Sequence, residues 1–191
     1  MNVFDLLSDK LKQSVQKLGF SSPTPVQSEV IPKILNGESV LFQSDTGTGK
    51  TFAYLFPLIT KLDALEAKGS LNSNVKIIII APTFELASQI NVACKSATDF
   101  KTALLIGGVP IKRQIELLKE KPQIVIGTAS RIVELIHLKK LKVENLFAVV
   151  FDETDRLLKK EAISDTSDLR NLLSPNTQII ACSATINKQT K

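Results

Sequence analysis

Apolar residues along this chain fall mainly into short unbroken runs, separated by longer stretches with helical spacing. The runs are Ser39–Gln43, Val75–Ala81, Thr102–Ile106, Gln123–Gly127, Phe147–Asp152 and Gln178–Cys182. Most are continuous rather than alternating, the pattern of strands covered on both faces. Between them lie helical patterns over Lys50–Glu66, Phe84–Ala93, Ile111–Lys119, Ser130–Leu138 and Ala162–Leu173. In Ile111–Lys119, for example, Ile111, Ile115 and Leu118 recur at helical spacing. Ahead of the first strand the pattern predicts one helix over Phe4–Leu18, a turn-rich Gly19–Pro25, and a second helix from Val26 to Leu35. Strand-helix alternation predicts βαβ crossovers, hence the α/β class: a mostly parallel sheet with helices on both faces. Ligands of such sheets bind beyond the carboxyl ends of the strands, so the residues after each run carry the chemistry.

Composition narrows the picture by exclusion. A chain of 191 residues suits one domain and can bury a full core without disulfide or metal staples. Trp is absent and Tyr occurs once, which argues against modules that stack single strands on several rings. The net charge of +5 favours a polyanionic partner but also serves plain solubility. Cys94 and Cys182 are far apart and form no CxxC pair, which removes zinc ribbons and thiol redox motifs. Both thiols are expected to be buried, and they suit a reducing compartment. The sole histidine, His137, leaves no partner set for Ser-His or Cys-His catalysis. The longest apolar run, Ile77 to Pro82, is far below the ~18 residues of a membrane span. The opening Met1-Asn2-Val3-Phe4-Asp5 does not read as a signal peptide, so a cytoplasmic or nuclear location is expected.

Two polar segments stand at strand ends. Ser44-Asp45-Thr46-Gly47-Thr48-Gly49-Lys50-Thr51 follows the first strand and opens a helix. Glycines there let backbone N–H groups curl round a phosphate chain, and the helix N-terminus adds partial positive charge. Lys50 would reach the β- and γ-phosphates of a nucleotide, and the Thr51 hydroxyl would ligate Mg²⁺. The pattern G-x-x-x-x-G-K-[ST] is met except at its first position, where Ser44 stands. Alone, such a loop can also be a Gly-rich turn with an accidental Lys-Thr. The second segment is Asp152-Glu153-Thr154-Asp155, after the run Phe147–Phe151. Asp152 can hold the same Mg²⁺, directly or through water, and Glu153 can deprotonate an attacking water. Four polar residues after a strand usually make a cap or a turn; beside a phosphate loop in one parallel sheet, the balance reverses.

Asp152-Glu153-Thr154-Asp155 resembles the DEAD box, and the remaining motifs of DEAD-box RNA helicases follow in order. Gly19-Phe20-Ser21-Ser22-Pro23-Thr24-Pro25-Val26-Gln27 resembles the Q motif, which that family uses to recognise adenine. A Gln amide can both donate to and accept from the adenine edge, and an aromatic ring can stack on its face. The resemblance thus makes Gln27 the adenine reader and Phe20 its platform, with Phe4 as the upstream aromatic; the other reading of Phe20 is a core staple before the helix. Pro82-Thr83-Phe84-Glu85-Leu86-Ala87 resembles the PTRELA motif, Gly107-Gly108 the glycine doublet, and Thr128-Ala129-Ser130-Arg131 the TPGR motif. In the family these line the RNA backbone, which assigns Pro82, Thr83, Gly107, Gly108, Thr128 and Arg131 to RNA. Ser183-Ala184-Thr185 is similar to the SAT motif, in which Ser183 and Thr185 would hydrogen-bond Asp155 and couple the nucleotide to RNA.

The departures are as informative. Ser44 and Thr154 replace small residues, and Ala129 and Ser130 replace Pro and Gly, all without loss of a phosphate or metal ligand. Phe84 in place of Arg removes a cation from the presumed RNA face; the ring is expected to pack inward and leave Arg131 and backbone N–H groups to hold the RNA. The resemblance runs from Phe4 to Thr185. It implies a single N-terminal RecA-like ATP-binding domain over residues 1–191, with a Q-motif leader at 1–36 and the second RecA-like domain absent from this chain. The implied activity is RNA-dependent ATP hydrolysis coupled to duplex unwinding or remodelling, with ATP and Mg²⁺ as cofactors. The implied partners are RNA and that second domain. The alternatives are a catalytically idle RNA-binding relative or another P-loop ATPase acting on DNA.

Overall fold

Every apolar run becomes a parallel strand in the computed structural model, which describes residues 2–45, 47–71, 74–160 and 162–185. The strands are β1 (Val40–Gln43), β2 (Ile77–Ile80), β3 (Thr102–Leu105), β4 (Ile124–Gly127), β5 (Ala148–Phe151) and β6 (Gln178–Ser183). They form one sheet in the order β1-β6-β5-β2-β4-β3. The helices are α1 (Asp9–Lys17), α2 (Pro25–Leu35), α3 (Lys50–Ala67), α4 (Phe84–Ala97), α5 (Ile111–Lys119), α6 (Ala129–His137), α7 (Thr154–Leu157) and α8 (Ile163–Leu172).

The period-two geometry of a strand divides the core in two. Ile77, Ile79, Ile124, Ile126 and Val150 face a layer that includes Leu11, Ile31, Ile34, Phe56 and Ile90, which belong to α1–α4. Ile78, Ile80, Val125 and Val149 face the other layer, with Ile132, Leu135, Leu157 and Leu169 from α6–α8 and Ile115 of α5 at its margin. That is why the strands read as unbroken runs. Gly127 marks the tightest backbone approach: a Cβ there would lie 1.9 Å from the Leu105 carbonyl oxygen.

The leader departs from the predicted single helix. Val3–Leu6 forms a short 3₁₀ turn, and Ser8, in extended conformation, restarts the chain as the N-cap of α1. Its hydroxyl oxygen accepts from Leu11 N–H at 3.2 Å and its O–H donates to Asp63 on α3. A side chain that satisfies a helix start and reaches another helix ends the helical phase before it. α2 begins at Pro25, one residue ahead of the sequence reading, because Thr24 and Gln27 form a reciprocal capping box. Cys94 and Cys182 are both buried, as expected, and His137 is exposed at the end of α6.

Candidate functional site

The chemistry-bearing residues gather where β1, β5 and β6 end. The register matches Gln43 to Ser183 and Phe151 to Ala181, so the loops after these strands leave the sheet side by side. Ser44 is tied in by its N–H to the Ser183 carbonyl at 3.0 Å, and its hydroxyl bonds that of Thr48. Gly47 and Gly49 have φ of 81° and 83°, the left-handed region a phosphate-cradling loop needs. Thr46 lies outside the described residues.

At the centre stands Asp152, wholly buried. Its Oδ1 accepts from Lys50 Nζ at 2.9 Å, the Glu153 N–H at 2.8 Å and the Cys182 thiol at 3.2 Å. Its Oδ2 accepts from the Tyr54 hydroxyl at 2.9 Å. Burial pulls the Lys50 ammonium down, but the Asp152 charge and hydrogen bond outweigh it, so the group is raised and stays charged. Burial first, and then Asp152, push both the Tyr54 hydroxyl and the Cys182 thiol well above their ordinary values. Tyr54 and Cys182 escaped the sequence reading. Tyr54 lies one helical turn after Lys50, hence on its face, and is the chain's only tyrosine; that spacing was the available signal.

Glu153 adopts φ 50°, ψ 54°, and its carboxylate pairs with Arg156 at 2.7 Å. Asp155, in the unpredicted single turn α7, accepts from the hydroxyls of Ser183 at 2.7 Å and Thr185 at 3.4 Å, as the SAT resemblance implied. Thr154 donates toward the carbonyls of both Phe151 and Cys182, each at 3.1 Å, and so pins the turn to β5 and β6. A cleft of about 400 Å³ opens beside this hub, lined by Gly47, Gly49, Lys50, Thr51, Gln89 and Glu153 among others.

Gln27 is fully buried with its amide engaged. Oε1 accepts from the Thr24 N–H at 3.0 Å and Nε2 donates to the Gly49 carbonyl at 3.2 Å. A Cβ on Gly49 would sit 2.6 Å from that Nε2, and the residue's φ of 83° disfavours any side chain, so a substitution here would displace the Gln27 amide as well as strain the loop. Phe20 is half-buried, edge-to-face with Phe52 and Phe56 at 4.9 and 5.5 Å, and Phe4 meets Phe56 likewise at 5.9 Å. Phe4 and Phe20 line a separate cleft of about 360 Å³ with Ser21 and Gln16.

On the far side of the strand ends, a groove of about 360 Å³ is lined by Pro82, Thr83, Phe84, Gly107, Thr128 and Ser130 among others. Gly108, exposed at φ 76°, lies in the loop after β3. Thr83 caps α4, accepting from the Leu86 N–H at 3.2 Å, as the sequence suggested. Two expectations change here. Phe84 does not pack inward: it is 51% exposed. Its spacing continues the stripe Ala87, Ile90, Cys94 and Ala97, but as the first residue of α4 it lines the groove instead of joining the core. Arg131 is turned inward, its side chain 12% exposed, donating to the Val109 carbonyl and pairing with Glu134, each at 2.9 Å. It braces the glycine doublet's loop against α6.

A model of the DEAD/DEAH box helicase family matches residues 24–191. The chain belongs to this family. It is 39% identical over 181 residues to the DEAD-box ATP-dependent RNA helicase CshC of Bacillus cereus, an alignment covering 93% of this chain and 45% of the relative. It is 38% identical to the RNA helicase CrhR of a Synechocystis strain, covering 97% of this chain and 37% of that one. The crystal structure of a DEAD box protein from the hyperthermophile Methanococcus jannaschii superposes with a TM-score of 0.86 at 33% identity, covering 96% of this chain and 49% of that one. The chain therefore spans less than half the length of these relatives. The six-stranded parallel sheet is the RecA-like fold of DEAD-box proteins.

Proposed function

We propose that the chain is the N-terminal RecA-like ATP-binding domain of an ATP-dependent RNA helicase, which binds ATP with Mg²⁺ and the RNA backbone. A second RecA-like domain in the full protein would complete both sites. The observation that carries the reading is the Asp152 hub, where the phosphate loop, the DEAD box and the strand leading to Ser183 meet around one buried carboxylate. Lys50 exchanges Asp152 for the β- and γ-phosphates, and Glu153 takes the proton of the attacking water. Thr51 and, once Lys50 leaves it for the phosphates, Asp152 would supply the oxygen donors that suit a hard cation, and Mg²⁺ held there would neutralise phosphate charge. Phe20 offers a ring face to adenine from the leader, and Gln27 reads the adenine edge by giving up its bonds to the Thr24 N–H and the Gly49 carbonyl. Asp155, held by Ser183 and Thr185, carries the state of the nucleotide to the groove at Pro82, Thr83, Gly107 and Thr128, with Gly108 in the adjoining loop; Arg131 would have to release the Val109 carbonyl and Glu134 to reach a phosphate there. RNA is held there by its backbone, with little dependence on sequence. A cytoplasmic or nuclear home fits the buried free cysteines, and no helix among the described residues is long and apolar enough to cross a membrane.

The test uses the full-length protein. ATP hydrolysis should be stimulated by RNA and far less by DNA, and Glu153→Gln should keep ATP binding while hydrolysis falls by ~10²-fold or more. Unchanged turnover in that variant removes Glu153 from the mechanism, and equal stimulation by DNA removes the RNA assignment. ATP binding without any hydrolysis in the unaltered protein would select the idle RNA-binding relative, a reading that the uncharged Phe84 and the inward Arg131 favour.

A further inference from the structure

We infer that Phe84 is a stacking platform for an unpaired nucleobase, so that this groove takes an RNA base as well as backbone. The inference rests on the RNA-binding reading above. Phe84 lies half in solvent at the first residue of α4, beside a groove floored by small residues, Ala81, Gly107 and Ala129. Thr83, Thr128 and Ser130 line the same groove, and the Thr128 hydroxyl is buried without a hydrogen-bond partner among the described residues. Ile163, next to the groove-lining Ala162, is 42% exposed and widens the apolar rim. An aromatic face set among hydroxyls and free backbone groups is how single-stranded RNA bases are received. A protein partner would instead want a broad apolar patch, and Phe84 and Ile163 are the only large apolar side chains exposed around this groove among the described residues.

The remaining wall sharpens the choice of base. Asp165 lines the groove and makes no ion pair among the described residues. A carboxylate repels a phosphate and accepts from an exocyclic amino group, as on adenine or cytosine, which uracil lacks. The two walls together suit an amino-bearing purine, adenine or guanine, with its larger face on Phe84 and its amino edge toward Asp165; adenine serves as the probe. The phosphates are left to the N-terminus of α4 and the Gly107 loop. Such a contact gives the protein a base preference that backbone binding alone does not supply.

The experiment measures affinity of the full-length protein for short oligoadenylate, oligouridylate and an abasic oligomer of the same length, at several salt concentrations. Phe84→Ala should weaken oligoadenylate binding by about 5–10-fold, oligouridylate less and the abasic oligomer not at all. The salt slope should not change, because no phosphate contact is lost. Phe84→Trp should retain the preference, and Asp165→Asn should narrow the gap between oligoadenylate and oligouridylate. Equal losses on abasic and base-bearing oligomers overturn the proposal, since the ring would then act on the backbone path. Unchanged affinities for all three in Phe84→Ala also overturn it and leave the ring to a protein contact. If the unaltered protein binds none of the oligomers, the RNA reading falls and this inference with it.

Discussion

The two ends of the strand-end surface are built on opposite principles. Around Asp152 every polar atom has a partner inside the protein, and one carboxylate answers Lys50, Tyr54, Cys182 and the Glu153 N–H. In the groove beside α4 the buried Thr128 hydroxyl has no hydrogen-bond partner among the described residues, Asp165 makes no ion pair among them, and a large apolar ring stands in solvent. A closed network in low dielectric is stiff and costly to disturb, whereas an open groove of small residues tolerates exchange. The departures with most bearing on ligand contact, at residues 84, 129 and 130, fall in the open part. Where the chain has already satisfied itself, substitution is dangerous; where it waits for a ligand, substitution changes only the ligand.

That contrast can be broken by stability measurements on matched variants. Asp152→Ala leaves the Lys50 ammonium buried without its partner and should cost about 3–5 kcal/mol in chemical denaturation, while Phe84→Ala should stay within about 0.5 kcal/mol. Comparable losses would erase the distinction. Gln27→Ala comes next, since it removes the capping box and the tie to Gly49 together, and a loss of ~1–2 kcal/mol is expected. It should also bring the affinities for ATP and GTP together in calorimetry.

Alkaline titration sharpens the picture of the closed end. The Cys94 thiol is raised by burial from 9.0 to about 12, and Cys182 and Tyr54 are raised well above 9.0 and 10.0. These groups lose protons first in the unfolded chain, so the native state binds more protons there. Stability must therefore fall as pH rises above about 9. Lys50, raised above 10.5 in the folded protein, adds a loss of the same sign at higher pH. Tyr54→Phe should flatten the decline above pH 10, and an unchanged curve would place the tyrosine proton outside the network. The smallest effect on stability is expected from Phe84→Arg, which should leave the melting temperature unmoved. Its mark should be a dependence of log K for RNA on log salt steeper by about 0.7–0.9. Coincident slopes would mean that a cation at the edge of the stacking site reaches none of the neighbouring phosphates.

The sheet was legible because burial on both faces leaves unbroken runs, and the site because its motifs are contiguous after strands. What escaped depends on distant contacts. The break at Ser8 had one local sign, a serine N-cap followed by an acidic first turn, while its tie to Asp63, 55 residues away, appears only in the fold. Tyr54 and Cys182 acquire their roles only once α3 and the β5–β6 register bring them to Asp152. Phe84 was expected inside because an uncharged ring gains nothing on a phosphate path; at the first residue of α4 it stands half in solvent instead. Arg131 was read as an RNA-backbone ligand from its motif, and the motif gave no sign that its guanidinium also donates to the Val109 carbonyl.

The backbone of Glu153, at φ 50° and ψ 54°, separates selection for folding from selection for turnover. A residue with a Cβ pays roughly 1 kcal/mol or more to stay left-handed, whereas glycine is at ease there and asparagine nearly so. Libraries randomised at this position and ranked by yield or heat resistance would drift toward glycine and asparagine. Ranked by survival of cells that need the activity, they would return to glutamate. The distance between those two rankings measures how far function, rather than the fold, keeps this side chain where it is.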